Sequence, residues 1–323
     1  MTAPVPTRLP LAATPTPLQP MPRLGAELGF ADGALWVKRD DLTALAGGGN
    51  KARKLEFLVA EALARGCDVL VTAGAAQSNH VRATAAAACV TGLGCVAVLG
   101  GEASEVAEGN LVLDGLFGAE LVWCGAFDAF QVSQVLAETC LRLQGEGRRP
   151  YEIPLGGASP VGTLGYVRAA AELATEAPLG SIVYTACGTG GTHAGLVVGF
   201  GHHDRVRGVD VGARPDVASR IDELVSAVST LAQRPLPAGT LAIDGSQVGG
   251  GYGAFTESAR EAIALAARLE GLVLDPVYSA KAMAGLIADR RRGALAADRP
   301  TVFLHTGGLP SVFTSGTVAW LTT

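Results

Sequence analysis

The sequence predicts an α/β protein in which parallel sheets are covered by helices on both faces. Three observations carry this. Along the 323-residue chain, short continuous apolar runs alternate with longer segments of helical period. The apolar runs lack the in–out alternation of a half-exposed strand, so both faces are expected to be buried, as they are in parallel sheets. Glycine is abundant, with 43 residues, and clusters where apolar runs end. Those are the places where tight turns and close backbone approach to a ligand require it.

Taken in order, residues 1–22 are rich in Pro, Thr and Leu and read as an extended arm. Leu35 to Lys38 is the first apolar run. After Lys51, the side chains Leu55, Leu58, Val59 and Ala62 fall at i, i+3, i+4 and i+7 and specify one face of a helix. Val69 to Ala73 reads as a buried strand and leads to an alanine-rich helix over Asn79–Val90. Val96 to Leu99 and Leu121 to Trp123 repeat the strand signal, and Val132 to Leu143 reads as a helix. The polar stretch Gln144–Pro150 reads as a loop. A helix over Thr163–Leu173, a strand over Ile182–Ala186, a helix over Ser258–Leu269 and a last strand over Val302–His305 follow. Between them, Arg234–Gly253 holds several Pro and Gly without a period. It reads as an irregular excursion of the kind that often carries function.

Bulk properties narrow the function. The length suggests about two domains, or one large one, and the 49% hydrophobic content argues against disorder. A net charge of −5 argues against general nucleic-acid binding, although local N–H groups can still receive an anionic ligand. The N-terminus has no basic region followed by an apolar core, and no apolar stretch is long enough for a membrane span. The cytoplasm is therefore the expected location. None of the six cysteines, Cys67, Cys89, Cys95, Cys124, Cys140 and Cys187, forms a C-x-x-C pair, and they read as buried free thiols. No metal site is expected: His202 and His203 are adjacent, no other ligand sits at a usual spacing, and the pair reads as surface residues. The absence of G-x-S-x-G argues against a serine hydrolase.

Six segments can carry chemistry. In Gly47-Gly48-Gly49-Asn50-Lys51, a lysine enters a helix from a glycine turn. The positive end of the helix dipole favours its neutral amine, the form that imine chemistry needs. A solvated lysine is the alternative, and it suits Arg53 and Lys54 better. A phosphate-binding P-loop is excluded because Ala52 stands where Ser or Thr would hold magnesium. Thr72 to His80 is a strand, turn and helix start. There Ser78 or Asn79 can cap the helix, and free N–H groups suit a carboxylate. Gly188-Thr189-Gly190-Gly191-Thr192 follows an apolar strand and opens a helix, an arrangement that cradles phosphate. The rival dinucleotide fingerprint fails at its third glycine, where His193 stands, although Asp210 lies at about the ribose-acid spacing. Asp275 to Lys281 contains a turn after which Ser279 can start a helix. His305-Thr306-Gly307-Gly308 ends the last strand, and Gly249 to Gly253 frames Tyr252 with glycines.

Together, and in this order, these segments resemble the D-cysteine desulfhydrase and 1-aminocyclopropane-1-carboxylate (ACC) deaminase group of fold-type II pyridoxal phosphate enzymes, which are similar to the tryptophan synthase β-subunit. The resemblance runs from Pro17 to Pro310. It implies two domains, each with a mostly parallel twisted sheet flanked by helices: a large cofactor domain over 1–50 plus 162–323 and a small inserted domain over 51–161. It also implies a homodimer, a small amino-acid substrate and pyridoxal phosphate as cofactor. Lys51 would be the Schiff-base lysine and the base at Cα, with Ser78, Tyr252 and Tyr278 completing the catalytic set. Asn79, Gly188, Thr189, Gly190, Gly191, Thr192, Ser279 and Thr306 would hold the cofactor. Ser78, Asn79, His80 and Tyr252 would meet the substrate.

ACC deaminases carry Gln at the position of His80, an acid at that of Ser279 and Leu at that of Thr306, so the chain looks like the desulfhydrases. A hydroxyl at Ser279 would leave the cofactor nitrogen neutral, where an acid would keep it protonated. Loss of a β-substituent needs less electron withdrawal than opening a cyclopropane. The resemblance therefore implies a carbon–sulfur lyase acting on D-cysteine. L-Cysteate sulfo-lyase, ACC deaminase and, outside the lyases, a nucleotide-dependent oxidoreductase using the Gly188 loop are the alternatives.

Overall fold

The computed structural model describes residues 6–103, 106–125 and 129–322. The first half of the chain runs β1 (Leu18–Pro20), α1 (Pro22–Glu27), β2 (Leu35–Lys38), α2 (Lys51–Ala64), β3 (Val69–Ala75), α3 (Asn79–Thr91), β4 (Gly94–Gly100), α4 (Asn110–Leu116), β5 (Glu120–Trp123), α5 (Ala129–Gly145) and β6 (Pro150–Ile153). The second half runs α6 (Pro160–Glu176), β7 (Ile182–Cys187), α7 (Gly191–Phe200), β8 (Val206–Asp210), α8 (Val217–Leu231), β9 (Ile243–Asp244), α9 (Glu257–Glu270), α10 (Ser279–Arg291), β10 (Thr301–Leu304) and α11 (Ser315–Thr322).

The strands form two sheets. One has six strands in the order β1-β2-β10-β7-β8-β9, the other four in the order β5-β4-β3-β6. Every pairing is parallel except that of β1 with β2, so the α/β class with mostly parallel sheets holds. The four-stranded sheet is built from strands between residues 69 and 153, and the six-stranded sheet from strands before and after that stretch.

The continuous apolar strands serve two faces at once. In β3, Val69, Val71 and Ala73 pack into one core with Val132 and Leu136 of α5, while Leu70 enters another with Leu55, Leu58, Val59 and Ala62 of α2. The six-stranded sheet is covered on one side by α1, α9 and α10 and on the other by α6, α7 and α8.

Differences from the sequence expectation are local. The N-terminal arm contributes β1 and is tied down by Glu56, whose carboxylate accepts from the N–H groups of Leu11 and Ala12 at 3.1 Å. The expected loop at Gln144–Pro150 is shorter, because α5 runs to Gly145 and β6 begins at Pro150. His203 is buried rather than on the surface. Cys89 is exposed, whereas Cys95, Cys140 and Cys187 are buried, and all six thiols are free. No helix among the described residues is long and apolar enough to cross a membrane.

Candidate active site

Three loops leave the carboxyl ends of parallel strands and meet in one cleft, the usual ligand position in such sheets. They are the turn after β3, the glycine loop after β7 and the His305–Gly308 turn after β10. The start of α2, Tyr252 and Tyr278 complete the walls of the cleft. Lys51, Ser78, Asn79, His80, Gly188, Thr189, Gly190, Gly191, Thr192, Tyr252, Tyr278 and Thr306 all line it.

Lys51 is brought there by contacts that only glycine permits. A Cβ on Gly307, whose φ is +89°, would lie 2.7 Å from the Cα of Gly49, so the two turns touch backbone to backbone. The Asn50 N–H donates to the Thr306 carbonyl at 3.0 Å, and the Asn50 amide donates to the Thr192 hydroxyl at 3.0 Å. The Lys51 ammonium donates to Asn50 Oδ1 at 3.1 Å. Burial pushes the Lys51 amine down to about 8. The nearby Asp275 carboxylate opposes the shift and the Arg82 guanidinium adds to it. Burial, rather than the helix dipole expected from the sequence, is the largest cause.

Arg53 and Lys54 depart from the solvated reading, since both are buried. Lys54 lines the cleft, and a Cβ on Gly191 would fall 2.9 Å from its Nζ. Its ammonium donates to the Gly156 carbonyl at 3.1 Å, and burial, with the charge of Lys51 second, holds its pKa well below the usual lysine value. Arg53 points away from the cleft into an ion network with Asp40 and Glu172.

The turn after β3 is both a cap and a cleft wall. Ser78 Oγ accepts from the Val81 N–H at 3.3 Å and caps α3, a bond that does not use the hydroxyl proton. Asn79 Oδ1 accepts from the Asn110 amide at 3.1 Å, which leaves the Asn79 N–H₂ as the donor for a ligand. His80 is buried, and among the described residues neither ring nitrogen has a hydrogen-bond partner. Burial, and then the charges of Lys51 and Lys54, hold its imidazole neutral.

Tyr252 and Tyr278 share a close hydroxyl–hydroxyl hydrogen bond, with ring centroids 6.1 Å apart in an edge-on arrangement. Burial raises the pKa of both phenols, so both remain O–H donors at neutral pH.

Ser279 is the predicted contact that the cleft does not expose. It is fully buried, and its hydroxyl donates to Asp275 Oδ1 at 2.6 Å. Asp275 also accepts from the N–H groups of Val277, Tyr278 and Ser279 at 2.8–3.0 Å and so ties up the start of α10. The Ser279 hydroxyl also accepts from the Asp275 N–H at 2.8 Å, so it is engaged by Asp275 on both sides, and Asp275 rather than Ser279 caps the helix. Asp210 likewise does not line the cleft, and its Oδ1 accepts from the Gly212 N–H at 2.8 Å. This leaves a dinucleotide ribose without its acid.

Reasoning from sequence missed Asn50, Lys54, Asn110 and the acceptor role of Asp275. Only Lys54 had a signal, its spacing of three residues from Lys51.

The donor set suits one kind of ligand. Among the described residues, the charged side chains lining the cleft are Lys51, Lys54 and Arg214, with no Asp or Glu, in a chain of net charge −5. Arg214 is paired with Asp216 at 2.7 and 2.9 Å. A glycine cradle at the start of α7 beside Lys54 fits a phosphate, and a neutralisable lysine fits an aldehyde. The residues therefore fit pyridoxal phosphate.

Comparison with known proteins agrees. Residues 9–307 match the family described as pyridoxal-phosphate dependent enzyme. The D-cysteine desulfhydrases of Salmonella paratyphi B and Salmonella choleraesuis are each 43% identical over 319 residues, covering 95% of both chains. A crystal structure described as an ACC deaminase homologue is 38% identical, with a TM-score of 0.90 over 97% of this chain and 95% of that one. Threonine deaminase isoform 2 from Solanum lycopersicum shares the fold at 16% identity and a TM-score of 0.69, over 96% of this chain and 83% of that one.

Proposed function

The chain belongs to the pyridoxal-phosphate dependent enzymes and is a lyase of that family, and from this premise we propose that it removes hydrogensulfide from D-cysteine, with pyruvate and ammonia as the final products. The observation that carries the reading is Lys51, a half-buried amine lowered to about 8 on the wall of a cleft between the Gly188–Thr192 loop and the turn after β3.

When bound, pyridoxal phosphate supplies an electron sink conjugated to the substrate Cα. The Gly188–Thr192 loop and Lys54 would hold its phosphate, and Asn79, with its oxygen engaged by Asn110, would donate to the ring oxygen. Tyr278 and Thr306 complete its walls. The Ser78 hydroxyl and the N–H groups opening α3 would receive the substrate carboxylate, with neutral His80 beside them. Lys51 takes the Cα proton, for which an amine titrating near neutrality is suited. The Tyr252–Tyr278 pair, protonated at neutral pH, would hand a proton to the departing sulfur. Ser279, standing where an acid would keep the cofactor nitrogen protonated, would leave that nitrogen neutral and the electron sink weak.

We read residues 1–50 plus 162–323 and residues 51–161 as the two domains, and the enzyme as a cytoplasmic homodimer. Free thiols support the reducing compartment. The exposed apolar side chains Leu309, Phe313 and Val318 near the C-terminus support a subunit contact.

The test is 2-oxo acid release from D-cysteine, L-cysteate, β-chloro-D-alanine and ACC assayed side by side. D-Cysteine should be turned over with sulfide release and ACC should not. Preference for L-cysteate or ACC would replace the proposed substrate. Lys51→Ala should abolish both turnover and the covalent attachment of the cofactor on borohydride reduction, and a variant that still fixes the cofactor covalently would refute the assignment of Lys51.

A further inference from the structure

The segment Gly249–Gly253 presents Tyr252 to the cleft but has little means of its own to stay in place. Its other four residues are glycines, with φ of +68° at Gly249, +133° at Gly251 and +76° at Gly253. Such a turn has great conformational freedom and no neighbouring side chain to pack.

Two grips reach it from the start of α10. The Tyr278 hydroxyl bonds the Tyr252 hydroxyl at the tip of the side chain. Three residues on, and so on the same face of the helix, Lys281 reaches the backbone. Lys281 is 0% exposed, and its Nζ donates to the Val248 carbonyl at 2.8 Å and to the Gly251 carbonyl at 3.4 Å. Gly251 immediately precedes Tyr252. The turn is also seated on Gly212, where a Cβ would lie 3.2 Å from both the Gly251 carbonyl carbon and the Tyr252 nitrogen. Asp210 and Asp275 are the carboxylates whose charge acts on the ammonium.

We propose that Lys281 is a positioning residue for Tyr252, its buried ammonium pinning the backbone of the glycine turn while Tyr278 pins the phenol. A long buried lysine spent on two carbonyls has no other evident task. Charge-assisted bonds to backbone are strong and directional. Without them the turn keeps contacts such as the phenol bond, the seat on Gly212 and the bond from the Ala254 N–H to the Gly251 carbonyl at 3.2 Å, but no charged grip on its backbone, and a shift of about 1 Å in a reacting group costs on the order of a hundredfold in rate.

The inference rests on the reading that Tyr252 meets the substrate, so the experiment is a cycle on the holoenzyme: parent, Lys281→Met, Tyr252→Phe and the double variant. The readouts are kcat and KM with D-cysteine, the visible absorption of the cofactor and the thermal midpoint. Lys281→Met should lower kcat by about thirtyfold to a hundredfold with the cofactor spectrum unchanged. In the Tyr252→Phe background it should cost less than about threefold, because residues acting through one another are not additive. A Lys281→Met effect that is absent in the parent, or equal in both backgrounds, overturns the inference. If Tyr252→Phe is costly while Lys281→Met is silent, only Lys281 is refuted. If Tyr252→Phe is itself silent, the role of Tyr252 falls and this inference with it. Should Lys281→Met not fold, Lys281→Gln, which is shorter and uncharged but keeps an N–H₂ donor group, decides by the same cycle.

Discussion

Asp114 on α4 gives the sharpest test of the electrostatics around the cleft. Its side chain is fully buried, and among the described residues neither carboxylate oxygen has a hydrogen-bond partner. Burial pushes its carboxyl up to about 7, with the Arg82 charge opposing. An unfolded aspartate titrates near ~3.9. A group whose folded value is raised contributes stability in full below its unfolded value and loses it as the pH rises through its folded value. The window of loss therefore runs from about pH 4 to about pH 7, at roughly 1.4 kcal/mol per pH unit, about 4 kcal/mol in all. Asp114→Asn has nearly the shape of the protonated acid but does not ionise. Its stability relative to the parent should rise by about 2–3 kcal/mol between pH 5 and pH 8. Urea unfolding of both proteins at pH 5, 6, 7 and 8, followed by far-ultraviolet circular dichroism, measures this. Burying an amide adds an offset common to every pH, so the slope rather than the offset carries the test. Parallel stability profiles would refute the argument that a buried, unbonded carboxylate ionises at a cost in this fold.

Three further predictions follow from the site and its supports. Because the Lys51 amine is lowered to about 8, the rate at which cofactor-stripped protein takes up pyridoxal phosphate should rise about tenfold per pH unit below pH 8 and level off above it. A rise continuing to pH 10, followed by visible absorption, would show an ordinary lysine. Gly307→Ala forces a Cβ to 2.7 Å from Gly49 at a φ of +89°, and should lower stability by about 1–3 kcal/mol and weaken cofactor retention, measured by denaturation and by dialysis. Arg53→Met leaves Asp40 buried without its guanidinium partner and should cost about 3–5 kcal/mol in urea unfolding. A cost under 1 kcal/mol would mean that the network is not what holds α2.

Much of the fold was legible because parallel strands buried on both faces write continuous apolar runs, as β3 and β7 do. The elements that escaped lack that signature. β8 reads Val-Arg-Gly-Val-Asp, and β9 has two residues, so their strand state comes from pairing beside β7 rather than from composition. α8 is different, since Val217, Ile221, Leu224, Val225 and Val228 spell a helical face that could have been read. At the site, the glycine loops and the two tyrosines were legible as motifs. Ser279 was not, because a hydroxyl at a helix start serves a cap or a ligand equally well, and only the position of Asp275 decides. Asn110 and Lys281 left no trace in the sequence, because each acts on another residue brought near by tertiary structure.

The stretch Lys51-Ala52-Arg53-Lys54 shows why a run of charges is not by itself a solvated surface. At about 100° per residue, Lys51 and Lys54 lie roughly 60° apart on α2, while Arg53 lies about 200° from Lys51. One helix thus turns two lysines toward the cleft and one arginine to its opposite side. There Arg53 meets Asp40 at 2.8 Å and Glu172 of α6 at 2.8 Å. Asp40 in turn accepts from the Thr16 hydroxyl at 2.7 Å and the Tyr166 hydroxyl at 2.5 Å. The arginine therefore fixes the helix to the N-terminal arm and to α6, and rotation of α2 about its axis would break that network before Lys51 could leave the cleft. Burial, and after it the charge of Lys51, lowers the charge that Lys54 can hold. The same burial that would make Lys51 available as a neutral base leaves Lys54 short of an anion, which a phosphate seated on the proposed Gly188–Thr192 cradle would supply. On this argument Lys54→Met should weaken cofactor retention while easing the burial strain on the empty protein.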